Sequence, residues 1–209
     1  MISVIIPVYN GAKYLSECLS SIPDKCCDII VINDESTDNS TEIASRYTNK
    51  IVNVKHGGPV LARNIGISMA TSEYVLFLDA DDILTKDAIN IMRQQIETND
   101  IIIGLRQDFI SPDCHDNHKE TKKSSHGVIT GCALIKKNTF DKIGVFDTDL
   151  LCGDGYEWLL RAEKSDIKIK KIDDILCLRR IHDNNMGKTL KEQEYKDYCK
   201  IIRKHFVNK

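Results

Sequence analysis

No stretch of this 209-residue chain approaches the roughly 20 consecutive apolar residues that a membrane-spanning helix needs. Met1-Ile2-Ser3-Val4 runs directly into an apolar strand pattern, without a basic leader or a small-residue cleavage site, so no secretory signal is expected. Neither sign of charge is in excess. With 29 Lys+Arg against 31 Asp+Glu and a net charge of −2, there is no electrostatic case for a nucleic-acid binder. The eight cysteines include no C-x-x-C pair, only the neighbours Cys26 and Cys27, which argues against zinc. Without a secretory signal, reduced thiols in a cytoplasmic protein are the expectation. No internal repeat and no flexible linker divides the chain, so a single domain over 1–209 is expected, long enough for a full core.

What is present is an alternation of strand and helix patterns. Strands are expected at Ile2–Ile6, Asp28–Ile32, Ile51–Val54, Tyr74–Leu78 and Asp100–Leu105, and helices at Lys13–Ile22, Asp38–Tyr47, Val60–Ala70 and Lys86–Glu97. Strands separated by helices of about 10–12 residues signal βαβ units, hence an α/β fold with a mostly parallel central sheet flanked by helices. Gln107–His126 is polar and reads as a long loop. Periodicity resumes at Gly127–Lys136, followed by helices near Asn138–Ile143 and Tyr156–Lys164 and strands near Ile167–Ile172 and Ile175–Ile181. A helix from about Leu190 to Phe206 closes the chain. Its locally basic segment from Lys188 to Lys209 reads as a solvated face in preference to a lipid or partner surface.

The chemistry-bearing residues gather at strand ends, where open α/β folds place ligands. Tyr74-Val75-Leu76-Phe77-Leu78 breaks into Asp79-Ala80-Asp81-Asp82. Two Asp one residue apart can converge on a hard cation such as Mg²⁺ or Mn²⁺; equally, Asp81 or Asp82 could cap the following helix, and Asp82 is assigned there. The first strand ends in Pro7-Val8-Tyr9-Asn10-Gly11, where Tyr9 offers a flat face to a base or ribose. The second ends in Asn33-Asp34-Glu35-Ser36-Thr37-Asp38. Asp34 could accept from a base imide or a ribose hydroxyl, while Ser36, Thr37 and Asp38 look like helix capping. Gly57-Gly58-Pro59 precedes a helix carrying Arg63, and helix amino termini attract phosphate. Downstream, Gly153-Asp154-Gly155 opens a helix at which Asp154 is either the N-cap or a base. His182 follows the last strand as a neutral imidazole ligand or a plain surface histidine.

The ordered set Pro7-Val8-Tyr9-Asn10, Asn33-Asp34 with Ser36-Thr37-Asp38, Ala62-Arg63-Asn64-Ile65-Gly66 and Asp79-Ala80-Asp81-Asp82 resembles glycosyltransferase family 2. Gly144-Val145-Phe146-Asp147 and the Trp158-Leu159-Leu160-Arg161 helix are similar to that family's later half, so the resemblance runs from Ile2 to Asn185. It implies a GT-A fold and an inverting transfer of a sugar from a nucleotide-sugar, UDP-linked, to an acceptor hydroxyl, with a divalent metal (Mn²⁺ or Mg²⁺) as cofactor. By the same resemblance Pro7, Val8, Tyr9 and Ala80 line the donor pocket, Asp34 contacts uracil or ribose, and Arg63 holds the nucleotide end. Asp79 touches ribose and metal, Asp81 is the principal metal ligand, and His182 completes the metal and diphosphate site. Residues 1–105 form the nucleotide-sugar-binding half, 106–187 the acceptor and catalytic half, and 188–209 the terminal helix.

Two departures from the family pattern stand out. Glu35 replaces a small Gly, and Gly155 occupies the ungapped position of the catalytic Asp, leaving Asp154 one residue early as the base. A nucleotide-binding module without transferase activity is the competing expectation, because of Gly155. A nucleotidyltransferase is disfavoured, since Val8-Tyr9-Asn10-Gly11 is not a Gly-rich basic triphosphate loop. The acceptor is left open among glycan, lipid-linked and peptide hydroxyls, with peripheral contact at a membrane surface compatible with the second, and its specificity is expected from Gln107–His126 and the later half.

Overall fold

The computed structural model describes residues 1–23, 26–115, 124–186 and 190–207. The first half is a run of strand–helix units: β1 (Ile2–Val8), α1 (Ala12–Ser20), β2 (Cys27–Asp34), α2 (Ser40–Ala44), β3 (Ile51–Val54), α3 (Gly58–Met69) and β4 (Tyr74–Phe77). Next come β5 (Ile83–Leu84), α4 (Ala88–Ile96), β6 (Ile101–Ile110), β7 (Ser125–His126), β8 (Ala133–Lys136), α5 (Asn138–Ile143), α6 (Asp154–Glu163), β9 (Ile169–Ile181) and α7 (Lys191–Ile202), with a wider turn at Arg203–Val207.

The sheet runs β3-β2-β1-β4-β8-β6-β9-β5, with β7 on β6. β3, β2, β1 and β4 are parallel, as the βαβ spacing predicts. Beyond β4 the sheet is mixed: β8 lies antiparallel between β4 and β6, β9 pairs parallel with β6, and β5 pairs antiparallel with β9. The five residues 78–82 therefore link β4 to a strand at the far edge of the sheet path, and the second half curls back on itself. Strand alternation divides the core between the two faces. Ile2, Val4, Ile6 and Val8 of β1 pack with Leu15 and Leu19 of α1 and Ala88, Ile89 and Met92 of α4. Ile5 faces the other layer with Val60 and Ile67 of α3, Phe140 of α5 and Trp158 of α6. Trp158 is fully buried against Phe140 and Phe146 and donates its indole N–H to the Gly144 carbonyl (2.8 Å).

Several expectations are corrected. Asp82 does not open a helix. It is buried at the start of β5, and α4 begins only at Ala88. β6 extends to Ile110, into the polar stretch read as loop, because its later residues pair with β9 and not with an apolar core. The two strands expected between Ile167 and Ile181 are one; exposed Asp173 and Asp174 lie where the register against β6 shifts opposite Gly104, an irregularity and not a break. α2 is five residues long, with turns carrying the chain on to Thr48. Residues 116–123 of the polar stretch lie outside the described residues.

Candidate active site

A cavity of about 790 Å³ opens at the carboxyl ends of the parallel strands. Its size falls within the range of small-molecule sites. Pro7, Val8, Tyr9, Asp34, Arg63, Asp79, Ala80, Asp81 and His182 all line it. Asp154 does not. It sits behind Arg63, mostly buried, so the site has a front and a back.

Arg63 joins them. Its guanidinium is buried in α3; Nη2 donates to Asp79 Oδ1 and Nη1 to Asp154 Oδ2, each at 2.9 Å. Burial alone disfavours the charged guanidinium, but the carboxylates of Asp154 and Asp79 outweigh it and raise the Arg63 pKa. Nε is buried with no partner among the described residues. Asp154 is the first residue of α6 and makes no capping bond; the N-cap is Gly153, with φ +76°. The carboxylate is turned to Arg63 instead. A side chain at Gly155 would begin 3.2 Å from Ile129, so the next position of the helix faces Val128 and Ile129.

Asp81 meets the end of β9. His182 Nδ1 accepts the Asn184 N–H (3.2 Å), which leaves the proton on Nε2, where it is donated to Asp81 Oδ2 (2.9 Å). Asn185 Nδ2 approaches the same oxygen at 3.4 Å. Beneath them, Asp82 accepts the Arg180 N–H (3.0 Å) and lies 3.9 Å from the Cys177 thiol. Burial, then the charges of Asp81 and Asp79, push its carboxyl well above the usual range. Asp82 thus ties the acidic corner to β9, while Asp81 faces the cavity.

At the other end, both Asp34 oxygens are engaged. Oδ1 accepts the Gly57 N–H (2.8 Å) and Oδ2 the Gly58 N–H (3.0 Å), with His56 Nδ1 3.0 Å from Oδ2. The α3 amino terminus, expected to attract phosphate, is therefore already capped by a carboxylate from β2. The His56 and Tyr9 rings lie 4.3 Å apart and form a shelf beside it. Of Ser36, Thr37 and Asp38, expected to cap α2, Asp38 bonds the start of that helix, whereas Ser36 and Thr37 are turned to Asn10. Ser36 Oγ accepts the Asn10 N–H, and Asp38 spans both helices, taking the Ala12 N–H (2.9 Å) on one oxygen and the Ser40 N–H (3.0 Å) on the other. Glu35 has φ +63°, a left-handed conformation in which the family's Gly would be unstrained.

Some lining residues escaped the sequence reading. His56, Lys13, Tyr14, Asp113, His115 and Leu151 all contribute. Tyr14 donates to Asp113 Oδ2 (2.8 Å) across 99 residues, and its ring lies 4.9 Å from His182. No local pattern marks such a pair, although Asp113 and His115 do fall in the polar stretch expected to serve the acceptor.

The donors at the acidic corner can be compared with the ligand spacing of a divalent cation. Two ligands at right angles, each about 2.0–2.1 Å from an octahedral ion, lie about 2.9 Å apart, which is the Asp81–His182 spacing. Asp81 fits as an oxygen ligand. His182 joins it only by moving its proton to Nδ1 and giving up the Asn184 N–H. Among the described residues no group of three or more His, Cys, Asp or Glu side chains is arranged to hold a metal ion.

The chain is 31% identical over 218 residues to an uncharacterized glycosyltransferase of Rickettsia typhi, covering 92% of this chain and 68% of that one. It is 39% identical over 115 residues to the glycosyltransferase GlyG of Streptococcus pneumoniae, covering 50% of this chain and 38% of that one. Among solved structures, residues 1–349 of S. aureus TarS in complex with UDP-GlcNAc superpose with a TM-score of 0.74 at 21% identity, covering 96% of this chain and 65% of that one. The mannosyltransferase PcManGT of Pyrobaculum calidifontis, in complex with GDP-Man and Mn²⁺, gives 0.72 at 17%, covering 100% and 64%. The fold is GT-A, and these relatives are longer than the part this chain matches. The model of glycosyl transferase family 2 matches residues 3–164, and the chain belongs to that family.

Proposed function

We propose that this protein is a metal-dependent inverting glycosyltransferase that moves a sugar from a nucleotide-sugar, UDP-linked, to an acceptor hydroxyl. The observation that carries the reading is Arg63. One buried guanidinium ties Asp79, at the donor cavity, to Asp154, on the helix of the later half. That arrangement suits a reaction in which a departing diphosphate and an attacking hydroxyl must be held in line. The relatives whose complexes contain UDP-GlcNAc, or GDP-Man with Mn²⁺, support a nucleotide-sugar donor and a divalent cation.

In this reading Tyr9 and His56 stack against the base and Pro7 and Val8 close its pocket. Asp34 fixes the α3 amino terminus and offers its remaining lone pairs to the base or ribose. Asp81, with Asp79 beside it, would hold the cation, and His182 orients the Asp81 carboxylate. A bound cation supplies Lewis-acid stabilisation of the leaving diphosphate. Asp154 takes the acceptor proton once Arg63 yields one of its two bonds. A family member that binds nucleotide but transfers nothing is the second reading, favoured by the placement of Asp154 behind Arg63 and outside the cavity lining.

Titration calorimetry with UDP tests the first half. Wild type should bind in a Mn²⁺-dependent manner and Asp81→Ala should not; no Mn²⁺-dependent binding, with Asp81→Ala like wild type, sinks the proposal. Donor hydrolysis across a panel of nucleotide-sugars tests the second. Turnover lost in Asp154→Asn supports transfer, whereas binding without turnover in wild type favours the second reading. No described helix is long and apolar enough to cross a membrane. A cytoplasmic setting and an acceptor drawn from glycan, lipid-linked or peptide hydroxyls complete the proposal.

A further inference from the structure

We propose that Asp197, on the terminal helix, is a positioning residue for the acceptor side of the site, acting through the loop 147–153. The inference rests on the reading of Asp154 as the base. Asp197 is fully buried, and a buried carboxylate persists only when its lone pairs are satisfied. Oδ2 accepts two consecutive loop amides, Leu151 N–H (2.9 Å) and Cys152 N–H (3.1 Å). Oδ1 accepts from Gln193 Nε2 and Lys200 Nζ, each at 2.9 Å. Burial raises its pKa, but the hydrogen bonds from Lys200, Gln193 and the two amides outweigh that and hold the carboxylate below its ordinary value.

The rest of α7 and the turn after it follow the same loop. Lys200 also donates to the Asp149 carbonyl (2.9 Å), and Lys204 pairs with Asp147 (2.7 Å). Leu150 packs with Ile201 and Leu160. A side chain at Gly153, whose φ is +76°, would begin 3.0 Å from Ile201. The loop has two outputs. Leu151 lines the cavity and lies 3.8 Å from the Cβ position of Gly58, at the start of α3. Gly153 hands the chain to α6, whose first residue is Asp154. Apolar packing on Ile201 would be enough to dock a helix. A carboxylate directed at two successive amides additionally fixes the path of the loop that delivers Asp154. Small misplacements of a reacting group can cost about 100-fold in rate, so loop path translates into turnover.

The test uses the full chain with Asp197→Ala, which removes both acceptors, Asp197→Asn, which keeps an oxygen for the amides, and Lys200→Ala on the solvent side. UDP affinity, kcat and KM for donor hydrolysis, and iodoacetamide alkylation of Cys152 followed by peptide mass spectrometry are compared. In Asp197→Ala, kcat should fall about tenfold or more while UDP affinity and KM stay within about twofold. Cys152 alkylation should rise about threefold or more as the loop opens more often, and Asp197→Asn should restore most of kcat. Loss of kcat in step with UDP binding, an Asn variant no better than Ala, or a freer Cys152 with unchanged kcat each overturns the proposal. If Asp197→Ala does not fold, Lys200→Ala decides: a lower kcat with faster Cys152 alkylation supports the proposal, and unchanged kcat and alkylation overturn it. A wild type that neither binds UDP nor turns over a donor removes the functional reading instead; Cys152 alkylation then still decides whether Asp197 holds the loop.

Discussion

Three aspartates within four positions do three different jobs, and their environments separate them. Asp79 is tied to Arg63, Asp81 faces the cavity beside His182, and Asp82 is buried under the Arg180 amide. Asp82→Asn keeps an acceptor for that amide and removes a carboxyl that burial already disfavours in its charged form. If the proposed UDP site is correct, the substitution should leave Mn²⁺-dependent UDP affinity within about threefold of wild type, where Asp81→Ala is expected to abolish it. Calorimetry on the pair checks the division, and equal losses in both would reject it. These positions were legible because each motif is local and sits at a strand end. The role of Asp82 was not, because its partner is 98 residues away and short-range pattern favours a helix cap. His56 was missed for a similar reason: it matters through Asp34 and Tyr9, neither its neighbour in sequence.

At the scale of elements, hydrophobic period located β1 to β4 and the helices between them to within a few residues, and found α5 and α6. It failed where an element owes its form to a partner strand: the outer part of β6, the two-residue β5, and the irregular but continuous β9. Gly66, in the middle of α3, shows how packing overrides propensity. Alanine is favoured over glycine in a helix by about 1 kcal/mol. Here, however, an added Cβ would lie 2.2 Å from Ile5 Cγ2 of β1, both deep in the core. Overpacking of that kind costs about 1–3 kcal/mol, so Gly66→Ala should destabilise the fold despite the better helix former. Urea denaturation should show a lower midpoint at unchanged slope.

For the molecule as a whole, the last turns of the chain are joined to the rest through charge as well as through Ile201. Glu157 is buried between Arg161, Lys204 and His205. Burial raises its pKa, but hydrogen bonds from Lys204 and His205 and the charge of Arg161 prevail and hold it below the ordinary glutamate value. Asp147 is lowered first by its bond from Lys204, and Asp197 by the partners described above. A carboxylate whose pKa is depressed on folding stabilises the protein above its unfolded value and loses that contribution as pH falls through the folded one. The melting temperature should therefore decline progressively below about pH 4.5, and less steeply in Asp197→Asn. Thermal scans at stepped pH measure both; an equal slope in the variant would exclude Asp197 from the acid transition.

The curl of the sheet has a consequence for assembly. β5 follows the acidic corner almost at once, but its pairing partner is β9, the last strand made. Until residues 177–180 are in place, the Asp82 carboxylate lacks the Arg180 N–H, and Asp81 has no His182 beside it. Contacts at such sequence separation are closed late, because the loop entropy must be met before they reward it. During synthesis the parallel half can gather around β1 while the acidic corner stays open, so the cavity floor is completed near the end of folding, not at its start.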